Sequence, residues 1–277
     1  MQPILSLVGK PNGTDCLHID LMAFEAPMKS ALHRAAVFLG YAYHTSQVPP
    51  LETIGLNAAI ELNVGVPDPI ELPEREKYQA EFTAWSIGQA LVELDQSYQR
   101  YASSALDTIS RAQHYLQNQV LPENSKPNLA NTWKIHTQFY TDVDQRGPKY
   151  EEEAGCLRSL GNARNCLVHD SGVVTRRRLT DGDTMPVRWI GRDMFKTSIR
   201  GERITLPRDR PYRARLEDVG QQLSVEEVWR EERFKLGQRV VFSQTDLSEI
   251  IFFYQHLAMQ LGGAMHKWVA AVRLGTS

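Results

Sequence analysis

Arg164, Asn165 and His169 lie within the ten residues ARNCLVHDSG (163–172), and together they carry the groups needed to handle a phosphodiester. The arginine keeps its charge in any protein setting and presents a planar fork of donors to phosphate oxygens. The histidine, with an unperturbed pKa of about 6.5, can take or return a proton near neutrality. The asparagine offers an amide that could orient the histidine or bind the phosphate. Cleaving RNA without a metal demands this set of functions: a base for the 2′-hydroxyl, an acid for the departing 5′-oxygen, and positive charge on the phosphate.

The helix that must position these residues announces itself. Pro148 suits the first helical position, and Glu151, Glu152 and Glu153 sit where the dipole favours carboxylates. On a wheel of roughly 100° per residue, Arg164 falls in the middle of the apolar face, with Tyr150, Leu157 and Val168 on one side and Leu160 and Leu167 on the other. An unpaired guanidinium there would cost on the order of several kcal/mol, so something anionic must meet it. A carboxylate on the long helix upstream, a phosphate ligand, or a wet interface would each serve. His169 lies about 140° from Arg164, so on one straight helix the two do not converge on a single phosphate. Either the helix stops near Val168, with Gly172 turning the chain, or a two-fold copy brings a second pair into the same cleft.

The string Arg164-Asn165-Cys166-Leu167-Val168-His169, followed by Gly172, resembles the motif of the HEPN domain family: an arginine, a polar residue directly after it, and a histidine four to six residues beyond the arginine. The resemblance covers the motif helix, more loosely the helical segments from about residue 74 to 172, and the C-terminal helix. It implies a mainly α, HEPN-like helical bundle that works as a homodimer with a composite cleft. It also implies a metal-independent endoribonuclease that leaves 2′,3′-cyclic phosphate and 5′-hydroxyl ends, with Arg164, Asn165 and His169 catalytic and RNA as substrate. Such families occur as toxins and anti-phage defence effectors, which brings in a neutralising antitoxin or regulatory partner. The alternative within the same resemblance is a non-catalytic nucleotide- or protein-binding dimerisation module.

At 277 residues, 42% of them hydrophobic, the chain can bury a sizeable core. With 31 basic against 33 acidic residues, no global field advertises a nucleic acid or a membrane, so an anion site has to be local. Three cysteines (Cys16, Cys156 and Cys166) without paired spacing point to a reducing cytoplasm rather than a secreted disulfide framework. There is no signal peptide and no apolar run long enough to span a membrane. The histidines lack metal-ligand spacing, and glycine-rich phosphate loops are absent, so neither metal nor cofactor is expected.

The expected organisation is an N-terminal extension of mixed, loop-rich structure (1–73) followed by the bundle (74–277), which contains a small basic, strand-bearing insertion at about 173–240. A helix is expected from Leu21 to Leu39, then a proline-rich stretch over 48–73 with room for an edge strand. One very long helix, or two joined, follows over 77–120, interrupted only by Gly88. Further helices are expected over 129–143, 148–169 and 245–273. In the insertion, PVRWIGR and SIRGERITL read as strands, the second turning at Arg200-Gly201. Twelve basic residues against five acidic ones between 176 and 215 read as a local cationic surface. Arg176, Arg177 and Arg178 are its candidates for RNA contact, against the plainer reading of a solvated charge run. Plainer readings stand beside the others too: Arg164 as an ion-pair residue, His169 as a helix C-terminal charge, Cys166 as a thiol pointing away from the apolar face, and Gly262-Gly263 as a site of close helix packing.

Overall fold

Apolar residues recur at helical spacing from residue 72 to 118, and the chain forms one 47-residue helix there, α2 (Leu72–Asn118). The computed structural model describes residues 4–9, 15–50, 71–118, 120, 122–123, 131–144, 149–198, 200–208 and 222–275. The other helices are α1 (Leu21–Gln47), α3 (Thr132–Phe139), α4 (Lys149–His169) and α5 (Gln244–Gly275), and each of them packs on α2. The fold is therefore mainly helical, with α2 as its spine. Leu91, Leu94, Tyr98, Ala102 and Ala105 of α2 are buried in the common core. Phe24, Met28 and Leu39 of α1 join that core, and Phe24 stacks on Tyr101 at 4.4 Å between ring centroids.

Local chemistry sets the helix ends. Asp20 caps α1 by accepting from the Ala23 amide at 2.9 Å. The helix runs past the expected end at Leu39 because Gly40 carries no penalty large enough to stop it and Ala42 is still buried. It ends just before Pro49-Pro50, where proline disfavours helix in the residue preceding it. α3 continues into a π-helical turn, Tyr140–Asp144. In α5 a Cβ at Gly262 would stand 3.0 Å from the Tyr101 hydroxyl and 3.3 Å from Glu25 Oε1, so glycine permits the close packing expected there. The proline-rich stretch over 51–70 lies outside the described residues. Among the described residues no helix is long and apolar enough to cross a membrane.

Two antiparallel sheets accompany the helices. β1 (Leu5–Gly9) and β2 (Asp15–Ile19) pair with Leu7 opposite Leu17. The second sheet has the order β4-β3-β5, from β3 (Thr184–Thr197), β4 (Arg203–Thr205) and β5 (Gln222–Lys235). β3 and β4 are the strands expected in the insertion, and Gly201 takes the left-handed turn between them at φ 82°. β5 was not legible as a strand, and it changes the electrostatics. Its glutamates lie across from the arginines of β3 and β4: Arg188 bonds Glu231, its register partner, and Arg203 reaches Glu226 at 2.5 Å. Arg233 meets Asp181 and Glu231, each at 2.5 Å. Within the surface expected to be cationic, β5 thus supplies carboxylate partners to Arg188 and Arg203.

Gly88 marks the closest approach of α2 and α4. A Cβ there would lie 2.8 Å from Val168 Cγ2, 3.0 Å from Leu167 Cβ and 3.3 Å from the Val168 backbone nitrogen. Gly88→Ala would gain about 1 kcal/mol of helix propensity, but forcing the helices apart costs about 1–3 kcal/mol. The expected result is net destabilisation in urea melts, with the end of α4 displaced in amide spectra.

Glu153 of α4 is buried against α3 and α5. His136 Nε2 lies 3.4 Å from its Oε2, His256 Nε2 lies 3.8 Å from its Oε1, and Tyr98 bonds His136 Nδ1 at 2.7 Å. Burial pushes the Glu153 carboxyl up, but the two imidazoles more than offset it and hold the pKa at about 2, below the ordinary 4.5. A depressed carboxylate stabilises the fold above its unfolded pKa and loses that contribution as pH falls through the folded one. Acid titration of stability should therefore show a loss of about 3 kcal/mol between roughly pH 4.5 and 2. Glu153→Gln should flatten that segment of the profile.

Candidate functional site

The motif residues occupy the last two turns of α4, which runs through His169 before Ser171 (φ 50°) and Gly172 (φ 74°) turn the chain with left-handed backbone. The Gly172 and Asp170 amides both donate to the Cys166 carbonyl, at 3.1 and 2.9 Å. Gly172 is the expected stop, but it acts beyond His169 rather than before it. His169 keeps its helical direction and is exposed.

Arg164 is partly buried, with 23% of its side chain exposed. The buried positions of α4 are Glu153, Ala154, Cys156, Leu157, Leu160, Ala163, Cys166 and Leu167, and most of them lie to one side of Arg164, which flanks the buried face rather than centring it. Its Nη1 donates to Asp95 Oδ2, and its Nε donates to Asn165 Oδ1 at 3.2 Å. Asp95 comes from the long helix α2, so the carboxylate reading of the arginine's partner is realised. Burial raises the Asp95 pKa, while Arg164, Thr132 and Tyr254 pull it down, and burial prevails. Nη2 of Arg164 has no hydrogen-bond partner among the described residues.

Arg164 lines a cleft of about 620 Å³ between α4, the start of α3 and the sheet. Arg158, Asn162, Arg164 and Asn165 of α4 line it, together with Asn131 and Trp133 at the start of α3, Arg188 of β3 and the carboxylates of Asp95 and Asp181. Arg158 lies over the Trp133 ring, its guanidinium carbon 4.4 Å from the centroid. Ser159 ties the sheet to the helix, accepting from the Arg188 amide at 2.9 Å. His169 is not among the lining residues. Arg158, Asn162, Asn165 and His169 nonetheless follow one another at spacings of four, three and four along one face of α4. His169 stands about 40° round and about 6 Å along from Asn165. Asn165 thus adjoins both the arginine and the histidine, which lie on different sides of the helix.

The arginine triplet forms a 3₁₀ turn, Arg176–Arg178, after the motif helix. Arg177 and Arg178 both bond Asp170, and Arg178 also donates to the Asn165 carbonyl at 3.1 Å. Burial alone would raise the Asp170 pKa, but these two arginines outweigh it and hold the carboxyl below its usual range. Arg177 and Arg178 clamp the end of α4 through Asp170, and Arg176 is exposed. Cys166 does not point outward. It is fully buried, and burial pushes its thiol up to about 11 and that of Cys156 up to about 12.

Asp95, Arg158 and Trp133 are the site residues that sequence reasoning missed. Asp95 had a signal, since it stands on the same buried stripe as Leu91, Leu94 and Tyr98. Arg158 had one as well, because it shares a helix face with Asn165 and His169. Trp133 and Arg188 reach the cleft only through tertiary packing. No protein family, curated protein or solved structure matches this chain.

Removing one member of a fully buried ion pair costs about 3–5 kcal/mol, and the partial exposure of Arg164 reduces that penalty. Asp95→Ala should lower stability by about 1–3 kcal/mol in urea unfolding, and Asp95→Asn, which keeps an acceptor, should lose less.

Proposed function

We propose that the chain is a HEPN-like, metal-independent endoribonuclease that acts as a homodimer in the cytoplasm. The observation that carries this reading is the posture of Arg164. Asp95 and Asn165 hold its guanidinium, and the residue lines a cleft with two more arginines. A phosphodiester bound there would meet Arg164 and the Asn165 amide. His169 of one copy or its partner would then move the protons. The 2′-oxygen forms a bond to phosphorus as its proton leaves to the base, and the bond from phosphorus to the 5′-oxygen breaks as that oxygen receives a proton from the acid. The ends are a 2′,3′-cyclic phosphate and a 5′-hydroxyl.

A second copy is part of the proposal because Arg164 and His169 diverge within one chain. Exposed Tyr78, Phe82 and Trp85 form a stripe on α2 and share a shallow groove with Leu167, Val168 and Ser171 beside His169. A two-fold contact across this apolar face would bring two α4 ends together. A toxin or antiviral-defence setting, with a neutralising partner, belongs to the same reading. The alternative, a module that binds a nucleotide without cutting it, is favoured by the place of His169 outside the cleft lining.

RNA incubated with the purified protein and excess chelator separates the two. The nuclease reading expects cleavage with cyclic-phosphate ends, a dimer by light scattering, and at least a hundredfold loss of rate in His169→Ala with dimer and RNA affinity retained. Retained cleavage in His169→Ala, or a monomer that cleaves, would overturn the assignment of roles. RNA binding without any cleavage would favour the binding module.

A further inference from the structure

The cleft's internal hydrogen bonds leave a cluster of donors around Arg158 and Arg164. Ser159 is committed to the Cys156 carbonyl and the Arg188 amide, and the Asn162 amide nitrogen to the Arg178 carbonyl at 2.8 Å. Arg188 is matched to Glu231, and Arg164 to Asp95. Unspent among the described residues are Nη2 of Arg164, Nδ2 of Asn165, the guanidinium donors of Arg158 and the Asn131 side chain, which makes no cap bond to α3. The acceptors beside them are the amide oxygens of Asn131 and Asn162, the Thr180 hydroxyl and the Asp181 carboxylate, which already meets Arg233. Of the three arginines in the cleft, Arg158 alone has no carboxylate partner among the described residues. Its position is set by the Trp133 ring beneath it.

The free guanidinium donors of Arg158 and Arg164 suit an anionic, acceptor-rich ligand, and an exposed planar cation resting on an indole offers a flat surface to a second planar group. Resting on the RNA reading above, we propose that the Trp133–Arg158 stack is the subsite for an unpaired nucleotide flanking the phosphate held by Arg164. The base lies on the outer face of Arg158, and Asn131, which can both donate and accept, meets its edge. A volume of about 620 Å³ suits one or two nucleotides. The bases of an A-form duplex stay inside their own stack and present no free face. The substrate at this site is therefore single-stranded RNA, and Arg158 contributes base stacking as well as charge.

Fluorescence anisotropy with 2′-O-methyl oligoribonucleotides, which lack the attacking hydroxyl, reads binding apart from cleavage. The wild-type protein should bind a single strand at least tenfold more tightly than the matching duplex. Arg158→Ala should weaken single-strand binding about tenfold, in the range found for loss of one stacking contact, and Arg158→Lys should recover only part of it. A strand with abasic positions should lose affinity for the wild type and little more for Arg158→Ala. Arg158 is exposed, so both variants should keep the wild-type melting temperature. Full rescue by lysine, unchanged affinity in Arg158→Ala, or preference for duplex overturns the subsite while leaving RNA binding intact. Failure of the wild type to bind any RNA overturns the functional reading itself.

Discussion

The contact between Arg164 and Asp95 joins the motif helix to the spine of the bundle, and the candidate site depends on it. Asp95 sits on α2 with hardly any exposure, among residues that are otherwise apolar. A carboxylate in that position is destabilising unless it is matched, and Arg164 is the cation that matches it. The same pairing solves the arginine's problem, since its side chain is also drawn out of water at the edge of the core. Each charge is tolerated because of the other, which fixes the rotation of α4 against α2. Gly88 then sets how closely the two helices approach, at Leu167 and Val168, within the motif itself. The pair therefore positions the site whether or not the site is catalytic.

Further along the chain, charge is managed in the same way. Glu249 of α5 is buried and accepts from Trp189 Nε1 at 3.0 Å and Arg208 Nη2 at 2.8 Å, with Arg230 Nε at 3.4 Å. Gly191 of β3 stands against it so closely that a Cβ would fall 2.5 Å from the carboxylate oxygen. The sheet is thus locked to α5 by one glutamate, while β5 supplies acids to the arginines of β3 and β4. Arginines used this way are poor candidates for phosphate contacts, because a ligand would first have to displace a carboxylate. Arg188 and Arg203 are therefore not free cations of the insertion. What separates Arg158 from them is the absence of such a competitor among the described residues, not a difference in exposure.

Much of the helical frame is legible in the sequence because it rests on short-range rules: apolar spacing along 72–118, an aspartate before Leu21, and Gly172 after the motif helix. The direction of the divergence between Arg164 and His169 is also legible, since a helix has a fixed rotation per residue. The wheel misleads where burial is decided by neighbours. It centres the apolar face on Arg164 because it cannot see that α2 and α3 cover Cys156, Leu160 and Ala163, and for the same reason it turns Cys166 outward. β5 is obscured by its own glutamates, which read as a solvated segment until β3 is placed beside them. Trp133 and Arg188 belong to the cleft only because α3 and β3 flank α4, a long-range arrangement that no local pattern encodes.

The exposed position of His169 bears on how such a site would be controlled. An arginine neutralised by Asp95 in the resting chain presents less net charge to a phosphate than a free one, so the bare cleft is a modest anion trap. Arg158, uncompensated and stacked on Trp133, adds the attraction that Arg164 has partly spent on the fold. A histidine about one helical turn past Asn165, on the outer face, does not complete the chemistry alone. On the proposed nuclease reading, binding would belong to one chain and proton transfer to the meeting of two, so dimer contact would be a physical condition for cleavage. The affinity of the cleft and the rate of cleavage would then respond to different residues. On that reading Arg158 and Trp133 would govern the first, and the surface around Phe82, Trp85 and Val168 the second.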